Sequence, residues 1–210
     1  MQINSNNSYR PNFGALHIAN AGKIKLYKIA DNADKKFLKT LQERIDTKEL
    51  MPNLGKDEYK RWNEMIEYAT YNAQFPENTT YLAVCENKPC GILTWRPDKN
   101  AILDCICTWP VEYGKKVKLA GQTLFYQLFK DFLELKCKKM ELEAITNGPF
   151  NTIEKYEKLG LKKTSKVYPT KTVMETNSNK IKETLDKLDD IIEYEKLEPQ
   201  KVKLSDELEI

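Results

Sequence analysis

The chain has 210 residues, of which 40% are hydrophobic and 31% are charged, a balance that suits one folded domain with short appendages. Lysine and arginine number 34 against 31 aspartates and glutamates, and very few of the basic residues are arginine. This composition argues against a nucleic-acid-binding protein. No apolar run approaches the ~20 residues that span a bilayer, which argues against a membrane protein.

The first 22 residues are rich in asparagine, serine and glycine and lack periodicity, so they predict a flexible polar arm. They contain no apolar segment typical of a signal peptide. The five cysteines have no disulfide-scaffold spacing. We therefore predict a cytoplasmic protein with free cysteines. Cys105 and Cys107 would share one strand face, but the only histidine is His17, so we predict no metal site.

One strand and two helices are predicted for the next part of the chain. Residues 23–29 alternate between apolar and polar side chains, which indicates a strand. Apolar residues then recur at spacings of three and four over 34–45 and 57–74, which predicts two amphipathic helices. Pro52 and Gly55 lie between them and break the chain.

A β-rich region with one long helix follows. The runs 79–86, 90–96 and 101–109 are joined by short turn sequences and predict an antiparallel meander. The stretch "KKVKLAGQTLFYQLFKDFLEL", 115–135, begins basic and becomes a strongly apolar helix. Because the strand predicted at 140–146 follows this long helix, we expect it to lie parallel to the strand at 101–109.

A short helix and two strands would complete the sheet. Asn151 and Glu154 can form a capping box, and Gly160 has the position of a glycine that ends a helix. The strands are predicted at about 161–168 and 170–175. Beyond them, a charged amphipathic helix would end before Pro199 and dock on its own domain, or form a seam for an oligomer or partner.

These elements predict an α/β protein with a mixed sheet in the order β-α-α-β-β-β-α-β-α-β-β and a C-terminal helical extension. We divide the chain into a polar arm, 1–22, a domain, 23–176, and a charged helix and tail, 177–210. In such sheets ligands bind beyond the carboxyl ends of strands, where the long helix begins.

The start of the long helix has features that suit a pyrophosphate. The free N–H groups of a helix's first turn attract anions, and Gly121 permits close backbone approach. Lys115, Lys116 and Lys118 add positive charge. The alternative is a core helix that begins after solvated loop lysines.

Residues 79–175 resemble the GNAT superfamily of acyl-CoA-dependent N-acyltransferases, and 23–78 are compatible with its first strand and two helices. The family's pyrophosphate motif, Arg/Gln-x-x-Gly-x-Gly/Ala, precedes a Leu-Leu pair, which we align with Leu124 and Phe125. The three motif positions are then Lys116, Leu119 and Gly121, in that order. Two of the three therefore depart from the family's pattern.

Two further segments carry the resemblance. "KYEKLGLKK", 155–163, is similar to the family's Tyr-Glu-Lys-Leu-Gly-Phe, with Leu161 in place of Phe, and "CTWP", 107–110, is similar to its strand-ending Val-x-Pro. The family's helix-starting Asn would align near Pro149, so Asn147 or Asn151 would have to replace it.

The resemblance implies a cytoplasmic N-acetyltransferase that moves an acetyl group from acetyl-CoA to a primary amine by direct attack in a ternary complex. The acceptor would be a small molecule or a protein, and the enzyme a monomer or homodimer. The pantetheine would pair with backbone groups around Ile106, Cys107 and Thr108, where an N–H group polarises the thioester carbonyl. The remaining residues implied to bind the cofactor are Lys116, Lys118, Leu119, Ala120, Gly121, Gln122, Asn147 and Asn151.

The catalytic residues are also expected from the resemblance and from position. Tyr156 would be the general acid for the CoA thiolate, or only a packing residue that contacts Leu161 at the helix end. Asp104 and Glu112 are candidate general bases, with a water relay as the alternative.

Two other classes of protein compete with the enzyme. One is a catalytically silent GNAT-fold module that binds partners through the cleft or the C-terminal helix. The other is an unrelated α/β interaction protein, which would require the strand at 140–146 to be antiparallel to the strand at 101–109.

Overall fold

The computed structural model describes residues 14–29, 32–45, 47–51, 53–147 and 152–209. Within these ranges the chain forms nine strands and seven helices. The strands are β1 (Ala15–Ala21), β2 (Ile24–Ile29), β3 (Thr79–Cys85), β4 (Lys88–Arg96), β5 (Asn100–Thr108), β6 (Lys139–Ile145), β7 (Lys162–Val167), β8 (Lys171–Asn177) and β9 (Tyr194–Val202). The helices are α1 (Asn32–Arg44), α2 (Thr47–Leu50), α3 (Lys56–Asn72), α4 (Ala120–Glu134), α5 (Thr152–Lys158), α6 (Ser178–Asp189) and α7 (Leu204–Glu207).

All nine strands form one mixed sheet in the order β7-β8-β6-β5-β4-β3-β2-β1-β9. Helices α4 and α6 cover one face of the sheet, and α1, α3 and α7 cover the other. Helix α4 buries its wide apolar face completely, since Leu124, Leu128 and Phe132 have no exposed surface. Each such side chain contributes about 1.5–3 kcal/mol through burial, which fixes the helix on the sheet.

The predicted meander and the parallel return are confirmed. Strands β3, β4 and β5 pair antiparallel, whereas β6 pairs parallel with β5 from Asn100 opposite Lys139 to Leu103 opposite Leu142. The antiparallel arrangement that an unrelated α/β interaction protein requires is therefore excluded. No helix in the described ranges has the length and apolarity needed to cross a membrane.

The prediction of a flexible arm up to residue 22 is wrong from Ala15 onward. Residues Ala15–Ala21 form β1, which pairs with β2 on one side and with β9 on the other. A tight turn with Gly22 at φ +56° joins β1 to β2. The first 13 residues lie outside the described residues. The strand was missed because a bulge between His17 and Ala19 interrupts the alternation of its side chains, and because one of its two partners, β9, lies near the other end of the chain.

The predicted C-terminal helix is shorter than expected, and the chain continues as a strand. The helix ends at Asp189, and Pro199 lies inside β9 rather than after a helix. His17 pairs with Gln200 and Ala19 with Lys196, so Pro199 falls in a bulge of this edge strand. Proline is tolerated there because no ladder hydrogen bond needs its missing N–H.

The C-terminal segment is nonetheless docked on the same fold, as predicted. Ile181 and Leu188 of α6 are buried beside α4. The Tyr194 hydroxyl of β9 hydrogen-bonds to Gln127, whose amide donates to Asp131 at 2.7 Å. Polar contacts and apolar burial together therefore hold the last strand against α4.

Gly160 ends α5 as predicted. The Leu161 N–H donates to the Tyr156 carbonyl at 3.0 Å, and the Gly160 N–H donates to the Glu157 carbonyl at 3.0 Å. These are the two bonds of a Schellman motif, and Gly160 has the left-handed φ of +84° that the motif requires. The predicted capping box at the other end of α5 involves Asn151, which lies outside the described residues.

We expect Gly160→Ala to lower the free energy of unfolding by about 2–4 kcal/mol, measured by denaturant titration. An added Cβ would lie 2.6 Å from Thr184 Oγ1 of α6 and would be forced into a left-handed conformation. Gly22→Ala is the matched control, since Gly22 is also left-handed at φ +56° but has no atom within 4 Å of the added Cβ. An equal loss in both variants would contradict the role of Gly160 in the approach of α6.

Candidate active site

Strands β5 and β6 separate where a ligand is expected. Their parallel pairing ends at Leu103 and Leu142, although β5 continues to Thr108 and β6 to Ile145. The other edge of β5 stays paired with β4 as far as Thr108. In the described part of the chain, no strand pairs with the edge of β5 that faces the gap after Leu103. The segment Ile106–Thr108, predicted to bind pantetheine, therefore lies along an open strand edge.

A β-bulge at the start of the gap leaves Asp104 without a partner residue on β4. Leu103 pairs with Trp95 and Cys105 pairs with Thr94, so Asp104 is the extra residue of β5. The bulge changes which face of the sheet the following side chains cover: Leu103 packs with α4, whereas Cys105 packs with the α1–α3 layer. Such a bulge re-aims a side chain, as is common beside active sites.

The Asp104 side chain is nearly buried, and only one of its two carboxylate oxygens has a partner. Its side chain is 11% exposed, and Arg96 Nη2 lies 3.3 Å from Oδ1. Oδ2 is buried and has no hydrogen-bond partner among the described residues. Burial raises the pKa of Asp104, while the positive charge of Arg96 lowers it in part. This carboxylate has the free acceptor oxygen and the elevated basicity that a general base needs.

Tyr156 lies in the same gap between β5 and β6. It lines a cavity of about 90 Å³ in the gap together with Asp104, Leu142 and other residues of β5, β6 and α3. Its ring packs edge-on against Phe125 of α4, with centroids 6.0 Å apart. Burial, with the nearby Cys105 thiol as a smaller cause, raises the pKa of Tyr156 well above the usual value. The phenol therefore holds its proton at neutral pH.

Helix α4 begins beside the open strand edge with an unusual residue. Leu119 precedes the helix in the left-handed conformation at φ +64°, and the Thr123 N–H donates to its carbonyl at 2.8 Å. Leu119 aligns with the first motif glycine of the family, so the turn keeps a glycine-like backbone at a cost of about 1–2 kcal/mol. The following residue, Ala120, is buried.

Gly121 leaves room at the first turn of α4. A Cβ added there would meet only the methyl group of Thr108, at 3.8 Å, which is ordinary contact. Glycine is thus not needed for the packing of the described chain. Gln122, the next residue, is exposed at the same turn.

Some predicted site residues are not brought to the gap. Glu112 lies in the turn before α4, where it pairs with Lys115 at 3.3 Å, and it does not line the cavity. The interpretation of Glu112 as a general base is therefore not supported, because a hydrogen bond from Gly114 N–H to the Leu50 carbonyl holds that turn elsewhere. Lys116 and Lys118 line a different pocket.

Asn147 does not line the cavity; it is exposed and accepts a hydrogen bond at 3.4 Å from Arg61, which does line it. Asn151 lies outside the described residues. Among the cavity residues that were not predicted are Arg61 and Tyr68 of α3 and Glu143 of β6. In the sequence they look like ordinary polar surface residues of amphipathic elements, so their positions gave no indication of a site.

The described residues contain no group of three or more potential metal ligands. Cys105 and Cys107 both lie in the buried layer beside α3, as predicted for one strand face. All five cysteines are free and buried. Burial raises the pKa of Cys105 to about 12, so its thiol is not a ready nucleophile at neutral pH.

Comparison with known proteins identifies the fold. No family model and no curated protein matches the sequence. Among solved structures, apo FdhC, described as a nucleotide-linked sugar GNAT, is 16% identical with a TM-score of 0.52, and the match covers 85% of this chain and 97% of that one. The ribosomal-protein-S18-alanine N-acetyltransferase of Escherichia coli is 14% identical with a TM-score of 0.50, and the match covers 73% of this chain and 93% of that one. The chain therefore has the fold of the GNAT acetyltransferases.

Proposed function

We propose that this protein is a GNAT-type N-acetyltransferase that transfers an acetyl group from acetyl-CoA to a primary amine by direct attack. The observation that carries the proposal is the open edge of β5 with the Asp104 carboxylate and the Tyr156 phenol in one small cavity beside it. The fold and the three sequence segments that resemble the family support the same activity.

The residues along the gap fit an extended acyl-CoA. Unpaired backbone groups at Ile106–Thr108 can bond the amides of a pantetheine chain as an added strand would. One of these N–H groups would polarise the thioester carbonyl and stabilise the oxyanion. The first-turn N–H groups from Ala120 to Gln122 would hold the pyrophosphate, with Gly121 leaving the space for it.

Two side chains would move the protons. Asp104 Oδ2 would take a proton from the acceptor's ammonium group, which frees the amine to attack the carbonyl carbon. As the carbon–sulfur bond breaks, Tyr156 would give its proton to the thiolate of CoA, and the phenolate oxygen would take the second proton that the acylated nitrogen must lose. Arg61, Tyr68 and Glu143 line the cavity from the α3 side and the β6 side, where the body of the acceptor would enter.

Titration of the purified protein with desulfo-CoA by calorimetry tests the proposal, and we expect micromolar affinity. We expect Gly121→Glu to weaken this binding at least ~10-fold, because its carboxylate would repel the pyrophosphate. The fold should be unaffected, since an added Cβ there meets only Thr108 at 3.8 Å and an acidic residue is favourable in a helix's first turn.

The matched control is Asn179→Glu, the same charge in the exposed first turn of α6. It should leave desulfo-CoA binding unchanged. Affinity no tighter than millimolar would overturn the proposal. Micromolar affinity without release of CoA thiol from acetyl-CoA across a panel of amines would instead favour the silent binding module.

A further inference from the structure

A second pocket, of about 400 Å³, lies at the end of the sheet where α4 begins. It is bounded by the β1–β2 turn at Ala21–Ile24, the end of β3 at Cys85 and Glu86, the loop 115–119 before α4, and the α6–β9 turn at 191–193. It shares no lining residue with the cavity between β5 and β6. The pocket is therefore a separate concavity, to which four distant parts of the chain contribute.

Positive charge surrounds this pocket. Four lysines line it against two glutamates, Glu86 and Glu193; the lysines are Lys23, Lys115, Lys116 and Lys118. Lys23 lies 3.5 Å from Glu86, and Lys115 is paired with Glu112. In the described part of the chain, Lys116 and Lys118 form no ion pair. Glu193 also forms no ion pair among the described residues, so the pocket keeps a net positive charge from Lys116 and Lys118 for an anionic ligand.

Two further features indicate a ligand with both polar and apolar parts. Apolar side chains from different elements line the pocket, among them Val111, Val117 and Ile192. Thr123 of α4 also contributes to the lining; it is only 1% exposed, and its hydroxyl has no hydrogen-bond partner among the described residues. A buried hydroxyl without a partner is costly, and a ligand oxygen would supply the missing acceptor.

We propose that this pocket binds a phosphomonoester with a small apolar group, at a site separate from that of the acyl donor. A phosphate carries up to two negative charges and three acceptor oxygens, enough for Lys116, Lys118 and the Thr123 hydroxyl together. A carboxylate has one charge and would satisfy fewer of these donors. The apolar group would lie against Val111, Val117 and Ile192.

Calorimetric titration of the full chain with phenyl phosphate tests this site. We expect one molecule to bind per chain, with an affinity that falls as salt is added, because the contacts are made by exposed charges. Saturation with desulfo-CoA should leave this binding in place. Thr123→Val keeps the shape of the side chain and removes the hydroxyl, so it should weaken phenyl phosphate about 10-fold without destabilising the protein.

Substitution of Lys23 tests the role of positive charge in the second pocket without changing the proposed acyl-donor site. Lys23→Ala should weaken phenyl phosphate about 3-fold, since it removes one exposed positive charge from the rim. Lys25→Ala is the matched control, because Lys25 makes the same charge change outside the pocket, where it pairs with Glu207 at 3.8 Å. Both variants should bind desulfo-CoA as the parent protein does.

Three results would overturn the second site. The first is no binding of phenyl phosphate up to about 10 mM. The second is displacement of phenyl phosphate by desulfo-CoA, which would place the phosphate at the pyrophosphate position. The third is an equal effect of Lys23→Ala and Lys25→Ala. None of them bears on acetyl transfer, so failure of this site and failure of the proposed function are distinguishable.

Discussion

Replacement of Tyr156 by Phe is expected to lower turnover at least ~10-fold, and up to ~10⁴-fold, while the affinity for desulfo-CoA stays the same. The phenol is partly buried and lines the same cavity as Asp104, and its raised pKa keeps it protonated until a thiolate leaves. Without the hydroxyl, the thiolate of CoA loses its proposed proton donor. Steady-state rates with a confirmed acceptor would measure the loss.

The phenylalanine variant isolates this role from packing. Its ring can keep the edge contact with Phe125 and the Schellman bond from Leu161 N–H to the backbone carbonyl of residue 156. Its thermal stability should therefore match that of the parent protein. Tyr168→Phe, at a 46% exposed tyrosine outside the cavity, is the control for removal of a phenol in general. Unchanged turnover in Tyr156→Phe would remove the general acid from the mechanism.

We expect Asp104→Asn to lower kcat/KM by about 10²–10⁴-fold and to abolish the acidic limb of its pH profile. A general base works only when deprotonated, so the activity of the parent protein should fall as the pH drops through the pKa of Asp104. Burial raises that pKa above the ordinary range, and Arg96 opposes the rise. Arg96→Gln should therefore move the acidic limb to higher pH.

A stability measurement distinguishes a loss of catalysis in Asp104→Asn from a loss of folded protein. Because the folded state raises the pKa of Asp104, it binds the proton more tightly than the unfolded state. The contribution of Asp104 to stability is then greatest below the unfolded pKa and is lost as the pH rises through the folded pKa. Asp104→Asn lacks this loss, so at neutral pH it should be at least as stable as the parent. An Asn variant with full activity and an intact acidic limb would exclude Asp104 as the base.

The parts of the fold that could be predicted are those that depend on residues close together in the sequence. The β-rich runs and turn sequences of the β3–β5 region and the apolar face of α4 predict their elements, because both signals lie in neighbouring residues. The ending of α5 at Gly160 follows from the left-handed conformation that the Schellman motif needs. The parallel return of β6 follows from the length of the α4 connection and the handedness of such crossovers.

The site itself was predictable only in part. Tyr156 and Ile106–Thr108 were identified by resemblance; Tyr156 lines the cavity in the gap, and Ile106–Thr108 lie on the open strand edge beyond it. Asp104 could be suspected as a polar residue in a strand, but its bulge depends on register with β4, which no local pattern specifies. Arg61 reaches the same gap from α3, far away in sequence.

The amino-acid sequence by itself determined the five longer helices, most strands, the order that makes β5 and β6 parallel, and the glycine that ends α5, because these depend on periodicity, capping and connection length. Only the tertiary structure decided that β1 and β9 complete the sheet, that Asp104 and not Glu112 lines a cavity with Tyr156, and that Lys116 and Lys118 border a second pocket. Each of these results depends on contacts between distant segments. Their relative positions arise from the packing of the whole sheet rather than from the residues on either side.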